Sequence, residues 1–243
     1  MEVAHTPEQA AVLSKLIEAQ ARFDSELSLD PSVADKVEVA GREKALGNEL
    51  HGVGLYAEAK KQYDRAFICL YIDTDAWELN LGEEERALVT AAKQVLHLNR
   101  AACKLKLGQC AGALWDAEKA LELEPANEKA RYRVLLCHAQ LAEHELGLHE
   151  AGELASLERA EEWLGSAEAS LGELSAAGKQ FAPLSARCRQ SRRRLKAAQR
   201  RAAADQKKLY GNMHTGMERG HAREAAQAEG EFEDMPGLET DEE

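Results

Sequence analysis

Apolar positions along the chain recur at the three-to-four-residue spacing of amphipathic helices, and no segment alternates apolar and polar residues at period two. The pattern predicts an all-α protein. The first helix is expected over residues 6–28. Thr6 is placed to cap it, and Pro7 occupies the first helical position, where a missing N–H costs nothing. Ala11, Leu13, Leu16 and Ile17 supply its apolar stripe, and Leu29-Asp30-Pro31 ends it.

An internal repeat follows. From Gly47, the residues at matching offsets are Gly54, Ala59, Tyr63 and Ala66; from Ala101 they are Gly108, Ala113, Ala117 and Ala120. Mostly small residues at these places let two antiparallel helices approach closely across a glycine turn. Pro125 closes the second unit. The two units start further apart than one repeat of about 34 residues requires. The excess lies at residues 73–85, where Asp73-Thr-Asp and Leu81-Gly-Glu carry helix-end and cap chemistry. A lengthened second helix, a short loop and a lengthened third helix are predicted there. A third unit opens near Glu128 with a helix from Lys129 to about Leu146. Its partner is displaced: Ala160, Leu164 and Ala167 restore the packing pattern only after extra residues at 147–152. A long helix rich in Arg, Ala and Gln follows Pro183 and is expected to run to about Met213. The organisation expected is an N-terminal helix and linker at 1–35 and a three-repeat domain at 36–182 with an irregular third repeat. A long basic helix at 183–220 and an acidic, disordered tail at 221–243 complete it.

Composition narrows the function. Apolar residues make up 44% and charged residues 30%, as in a soluble protein with much solvated helix surface. A net charge of −12 argues against a general nucleic-acid binder, which needs surplus Lys and Arg to neutralise phosphates. The cysteines, Cys69, Cys103, Cys110, Cys137 and Cys188, are odd in number and contain no CxxC pair, which fits free thiols in a reducing compartment. The first residues lack the pattern of a signal peptide, and no run approaches the ~18 apolar residues of a membrane helix. A cytoplasmic protein is expected, compatible with a nuclear pool and without a membrane or nucleic-acid partner. His144-Glu-Leu-Gly-Leu-His149 is one residue longer than the zinc-binding HExxH spacing, so its imidazoles do not share a helical face. No P-loop, dinucleotide or nucleophile-elbow pattern occurs. No metal, cofactor or catalytic residue is therefore expected.

Polar residues on the first helix of each pair point to binding. In stacked helix pairs those first helices line one concave groove. Lys44 and Asn48 lie one turn apart, Asn99 precedes Ala101 by two residues, and Lys129 and Arg133 lie one turn apart. Two amides and three cations on one groove suit an extended peptide ending in aspartate, which offers a terminal and a side-chain carboxylate.

The segments GREKALGNEL (41–50), LNRAACKLKLG (98–108) and ALELEPANEKARYR (120–133) resemble the tetratricopeptide-repeat (TPR) domains of chaperone cofactors, above all the large immunophilins of FK506-binding and cyclophilin type. The resemblance covers roughly residues 36–213 and includes Asp205-Gln-Lys-Lys-Leu-Tyr-Gly-Asn-Met213, similar to the terminal-helix signature of that family. It implies a superhelix of three helix pairs, with an N-terminal helix and a long capping helix. It also implies a carboxylate clamp of Lys44, Asn48, Asn99, Lys129 and Arg133 that binds the EEVD tail of heat shock protein 90, and sometimes 70. By the same resemblance, Lys44, Asn48 and Asn99 hold the terminal carboxylate, and Lys129 and Arg133 the aspartate side chain or the peptide backbone. No strand pattern precedes the repeats, so the family's prolyl-isomerase activity is not expected here. The basic segment 187–208 is a second candidate surface, for calmodulin or a client, although its charges spread around the helix. The alternative to chaperone-tail binding is a TPR scaffold for a different partner in assembly or trafficking.

Overall fold

The structure, a computed structural model, describes residues 5–26, 31–153, 155–176, 178 and 181–233, with side chains placed at 5–20 and up to 210. Every regular element among them is helical. They divide into two compact units, with the boundary along the chain between Arg192 and Arg193.

The first unit is built from helix pairs. Helix α1 (Pro7–Glu26) precedes α2 (Val33–Gly52) and α3 (Tyr56–Cys69); α4 (Glu83–Lys106) pairs with α5 (Cys110–Leu123), and α6 (Glu128–Glu150) with α7 (Leu157–Ala176). The pairs also pack in succession, α3 on α4 and α5 on α6. Local chemistry sets several starts. Thr6 and Gln9 cap each other's backbone N–H at α1, Ser32 and Asp35 form a reciprocal capping box at α2, and Asn127 accepts from Ala130 N at α6. Gly54 (φ 83°) and Gly108 (φ 74°) turn the chain between paired helices in the left-handed region that a side chain disfavours.

The repeat positions form the core. Gly47, Ala59, Tyr63 and Ala66 are buried, as are Ala101, Ala113, Ala117 and Ala120, and so are Ala160, Leu164 and Ala167 of the displaced third unit. Larger residues, among them Leu50, Leu70 and Leu96, fill the space between them. The tightest approach is at Gly47, where an added Cβ would lie 2.6 Å from Cε1 of Tyr63. Burial pushes the Cys103 and Cys137 thiols up to about 12, which leaves both protonated and unreactive at neutral pH.

Three sequence expectations about these helices are corrected. Helix α3 is not lengthened: it stops at Cys69, and the extra residues make a loop and a single π-turn, Ala76–Asn80. Asp73 starts that turn by accepting from Ala76 N at 2.8 Å, and Glu85 caps α4 by accepting from Gly82 N at 3.0 Å. Of the two flanking helices only α4 is long, with 24 residues. The packed stripe of α1 is Val12, Leu16 and Ala19, whereas Ala11 and Ile17 face solvent; a one-residue rotation about the axis separates the two readings. Helix α6 continues across Gly147 to Glu150, because a single helical glycine costs only about 1 kcal/mol against the rest of the helix. Within that stretch Glu145 accepts from Ser156 N and pairs with Arg159, which ties down the start of α7.

Helix α8 runs over Ala182–Glu233. It passes the boundary expected near residue 220 because its Ala-, Glu- and Gln-rich sequence favours helix. Residues 234–243 of the expected acidic tail lie outside the described residues. Within the first unit, Arg187 is paired with Glu143 at 2.6 Å and Arg192 with Glu168. These two arginines of the basic segment are thus structural. The second unit comprises the remainder of α8. No helix among the described residues is long and apolar enough to cross a membrane.

A buried ion network joins α3, α4 and α5. Asp116 is fully buried and takes contacts from His97 Nδ1 (2.8 Å), Arg100 Nη2 (2.6 Å) and Lys104 Nζ (2.7 Å). Arg100 also reaches Asp64 at 2.8 Å and stacks over Phe67 at 4.2 Å. Burial alone would raise the Asp116 carboxyl, but the hydrogen bonds from His97, Arg100 and Lys104 outweigh it and hold the group at about 2. Its contribution to stability is therefore complete above the unfolded value of 3.8 and is lost as pH falls towards about 2. Asp116→Ala strands the buried cations and should lower stability by about 3 kcal/mol at neutral pH. Urea denaturation of both proteins should show that gap narrowing in strong acid.

Candidate functional site

The residues predicted to form the site lie on the first helix of each pair, α2, α4 and α6. Helix α4 contacts both of the others, which brings the three into one surface. Asn48 of α2 and Asn99 of α4 meet directly: Asn99 Nδ2 donates to Asn48 Oδ1 at 3.0 Å. Tyr63 of α3 donates its hydroxyl to the same oxygen at 2.8 Å. Two donors on Oδ1 fix the orientation of the Asn48 amide and leave its Nδ2 hydrogens for a ligand. Lys44 lies one turn earlier on the same face of α2 and is half-buried.

Lys129 and Arg133 line a groove of about 650 Å³, with Lys106 on α4 and His51 at the end of α2; Leu105 and Leu136 contribute apolar surface. Lys129 is exposed and Arg133 half-buried. Nη1 of Arg133 is buried and has no hydrogen-bond partner among the described residues. Burial lowers the affinity of this guanidinium for its proton, partly offset by Cys103, Cys137 and Tyr63. Arginine remains charged under such a shift, because its unperturbed value lies so high. The Tyr63 hydroxyl is held far above its usual range, first by burial and then by Cys103, with Arg133 opposing. Tyr63 thus orients Asn48 from the core of the first helix pair.

Lys106 and His51 were not singled out in the sequence. Their positions are legible in retrospect, since Lys106 follows Asn99 by seven residues and His51 follows Asn48 by three, each on the same helix face. The surface is cationic and bears amide donors. Such a surface can receive an anionic, extended ligand.

Fold and groove together define a tetratricopeptide-repeat domain. No family model matches the chain. Solved and curated proteins are nonetheless similar to it. The C-terminal TPR-containing domain of a Plasmodium falciparum FK506-binding protein superposes with a TM-score of 0.51 at 21% identity, covering 70% of this chain and 97% of that domain. Human Sperm-associated antigen 1 is 33% identical over 101 residues, 42% of this chain and 10% of that protein. Mouse peptidyl-prolyl cis-trans isomerase FKBP4 is 34% identical over 106 residues, 44% of this chain and 22% of that protein. Rat mitochondrial import receptor subunit TOM34 is 32% identical over 116 residues, 48% of this chain and 33% of that protein. The matches thus span between a tenth and a third of those curated relatives. They agree with the resemblance to TPR chaperone cofactors that the repeat motifs carry.

Tyr63→Phe removes one hydrogen bond to Asn48 and leaves the ring in the core. It should weaken binding of an anionic peptide about fivefold, the equivalent of about 1 kcal/mol. The helical signal by circular dichroism should not change.

Proposed function

We propose that this protein is an adaptor that grips the acidic C-terminal tail of a heat-shock chaperone of the 90 kDa or 70 kDa class. One observation carries the reading: Lys106, Lys129 and Arg133 line one groove, Arg133 Nη1 is buried there without a partner among the described residues, and the Asn48–Asn99 pair lies on helices that also contribute to that groove. A buried donor without a partner costs about 1–3 kcal/mol, and an acceptor arriving with a ligand relieves it. Lys44, Asn48 and Asn99 hold the terminal carboxylate in this scheme. Lys129 and Arg133 hold the aspartate side chain or the peptide backbone. The assignment of roles rests on the resemblance to carboxylate-clamp TPR domains; the similarity to FKBP4 and TOM34 supports a chaperone partner in general. A handful of charge-assisted bonds, partly screened, corresponds to micromolar affinity, roughly −8 kcal/mol.

Calorimetric titration with a Met-Glu-Glu-Val-Asp peptide tests the proposal, beside the same peptide amidated at its C-terminus. The free acid should bind and the amide should not. Lys129→Ala should abolish binding without altering helicity, because this exposed lysine supports no core contact. Added salt should weaken the interaction. Failure of the free acid to bind would assign the groove to a different partner.

A further inference from the structure

His51 is a titratable group in the groove wall that the five clamp residues leave unexplained. It sits at the C-terminal end of α2, three residues after Asn48. Its ring packs edge-on against Tyr56 of α3, with centroids 5.1 Å apart and planes at 66°. Nε2 is buried and has no hydrogen-bond partner among the described residues. The charged groups facing it across the groove are Lys106 from α4 and Glu128, Lys129 and Arg133 from α6. Tyr56 is the titratable neighbour from α3. His51 and Arg133 therefore line one cavity, and each holds a buried nitrogen without a partner among the described residues, which a ligand entering the cavity could satisfy.

We propose that His51 is a further peptide-binding residue of this groove, and that it binds a proton as the acidic tail docks, so that affinity rises as pH falls through the neutral range. The inference rests on the peptide-binding reading above. In the free protein, burial first, then Lys106 and Arg133, hold the imidazole below its ordinary value and keep it neutral near pH 7. A bound carboxylate offsets both cations and accepts a hydrogen bond from a protonated ring. Both effects raise the proton affinity of the complex above that of the free protein. The complex then binds more protons than its components between the two values, and by linkage the peptide binds more tightly at the lower pH. The carboxylates of the peptide titrate near 4 and contribute little to this window.

The test is calorimetric titration of the free-acid peptide between about pH 5.5 and about pH 8, in buffers of different ionisation enthalpy that report proton uptake. The unmutated protein should bind about five- to tenfold more tightly at the acid end, with net proton uptake on binding. His51→Gln, which keeps a donor but cannot ionise in this range, should lose both the pH dependence and the uptake. NMR titration of the His51 ring in the unmutated protein, with and without peptide, gives the same answer without a variant: its midpoint should move up on binding. Peptide binding that is pH-independent, that keeps its pH dependence in His51→Gln, or that leaves the His51 midpoint unmoved would overturn the inference and leave the clamp intact. Absence of binding at every pH would overturn the clamp reading and this inference with it.

Discussion

The packing of Tyr63 against Gly47 is the contact on which both fold and groove depend. No side chain larger than hydrogen fits at residue 47, because a Cβ would sit 2.6 Å from the ring. That proximity lets α2 and α3 close on each other, and it brings the tyrosine hydroxyl to Asn48, the next residue along. One aromatic side chain thus seals the first helix pair and orients an amide of the candidate site. In a repeat protein each helix pair has little core of its own, so a contact with two consequences couples the shape of the groove to the stability of the repeat.

Charge is used in two opposite ways. Asp116 is fully buried and saturated with cationic partners, so the network it forms with His97, Arg100 and Lys104 fastens α5 to α4. On the groove side, Arg133 and His51 hold buried nitrogens with no partner among the described residues. Desolvated donors left unpaired are costly, and proteins keep few of them outside functional sites. The groove is lined by Lys106, Lys129 and Arg133 although the whole chain carries −12. An acidic protein with a local cationic groove attracts an acidic peptide at short range only, because screening limits the reach of either charge to about 10 Å.

Much of this was legible in the sequence. Equal offsets from Gly47 and from Ala101 exposed two helix pairs, because close helix packing tolerates only small residues at fixed positions and so leaves a periodic mark. The places where the reading failed were those without such a mark. The stripe of α1 was misplaced by one residue since Val12 and Leu13 are both apolar and only the surface of α2 and α3 selects between them. The insert at 73–85 shortened to a π-turn instead of extending α3 because Asp73 found a backbone N–H to cap, a local choice that propensity does not rank.

The sequence by itself determined the fold class, the helix pairing and the five candidate polar residues, because each follows from periodicity along a single helix or from a short motif. Only the tertiary structure decided that Asn99 reaches Asn48 across 51 positions, that Asp116 gathers three cations, and that His51 and Lys106 share a wall with Arg133. Those facts depend on the angle and spacing between helices. They are set by how side chains from separate segments fill a common volume, and no periodicity within one segment encodes that geometry.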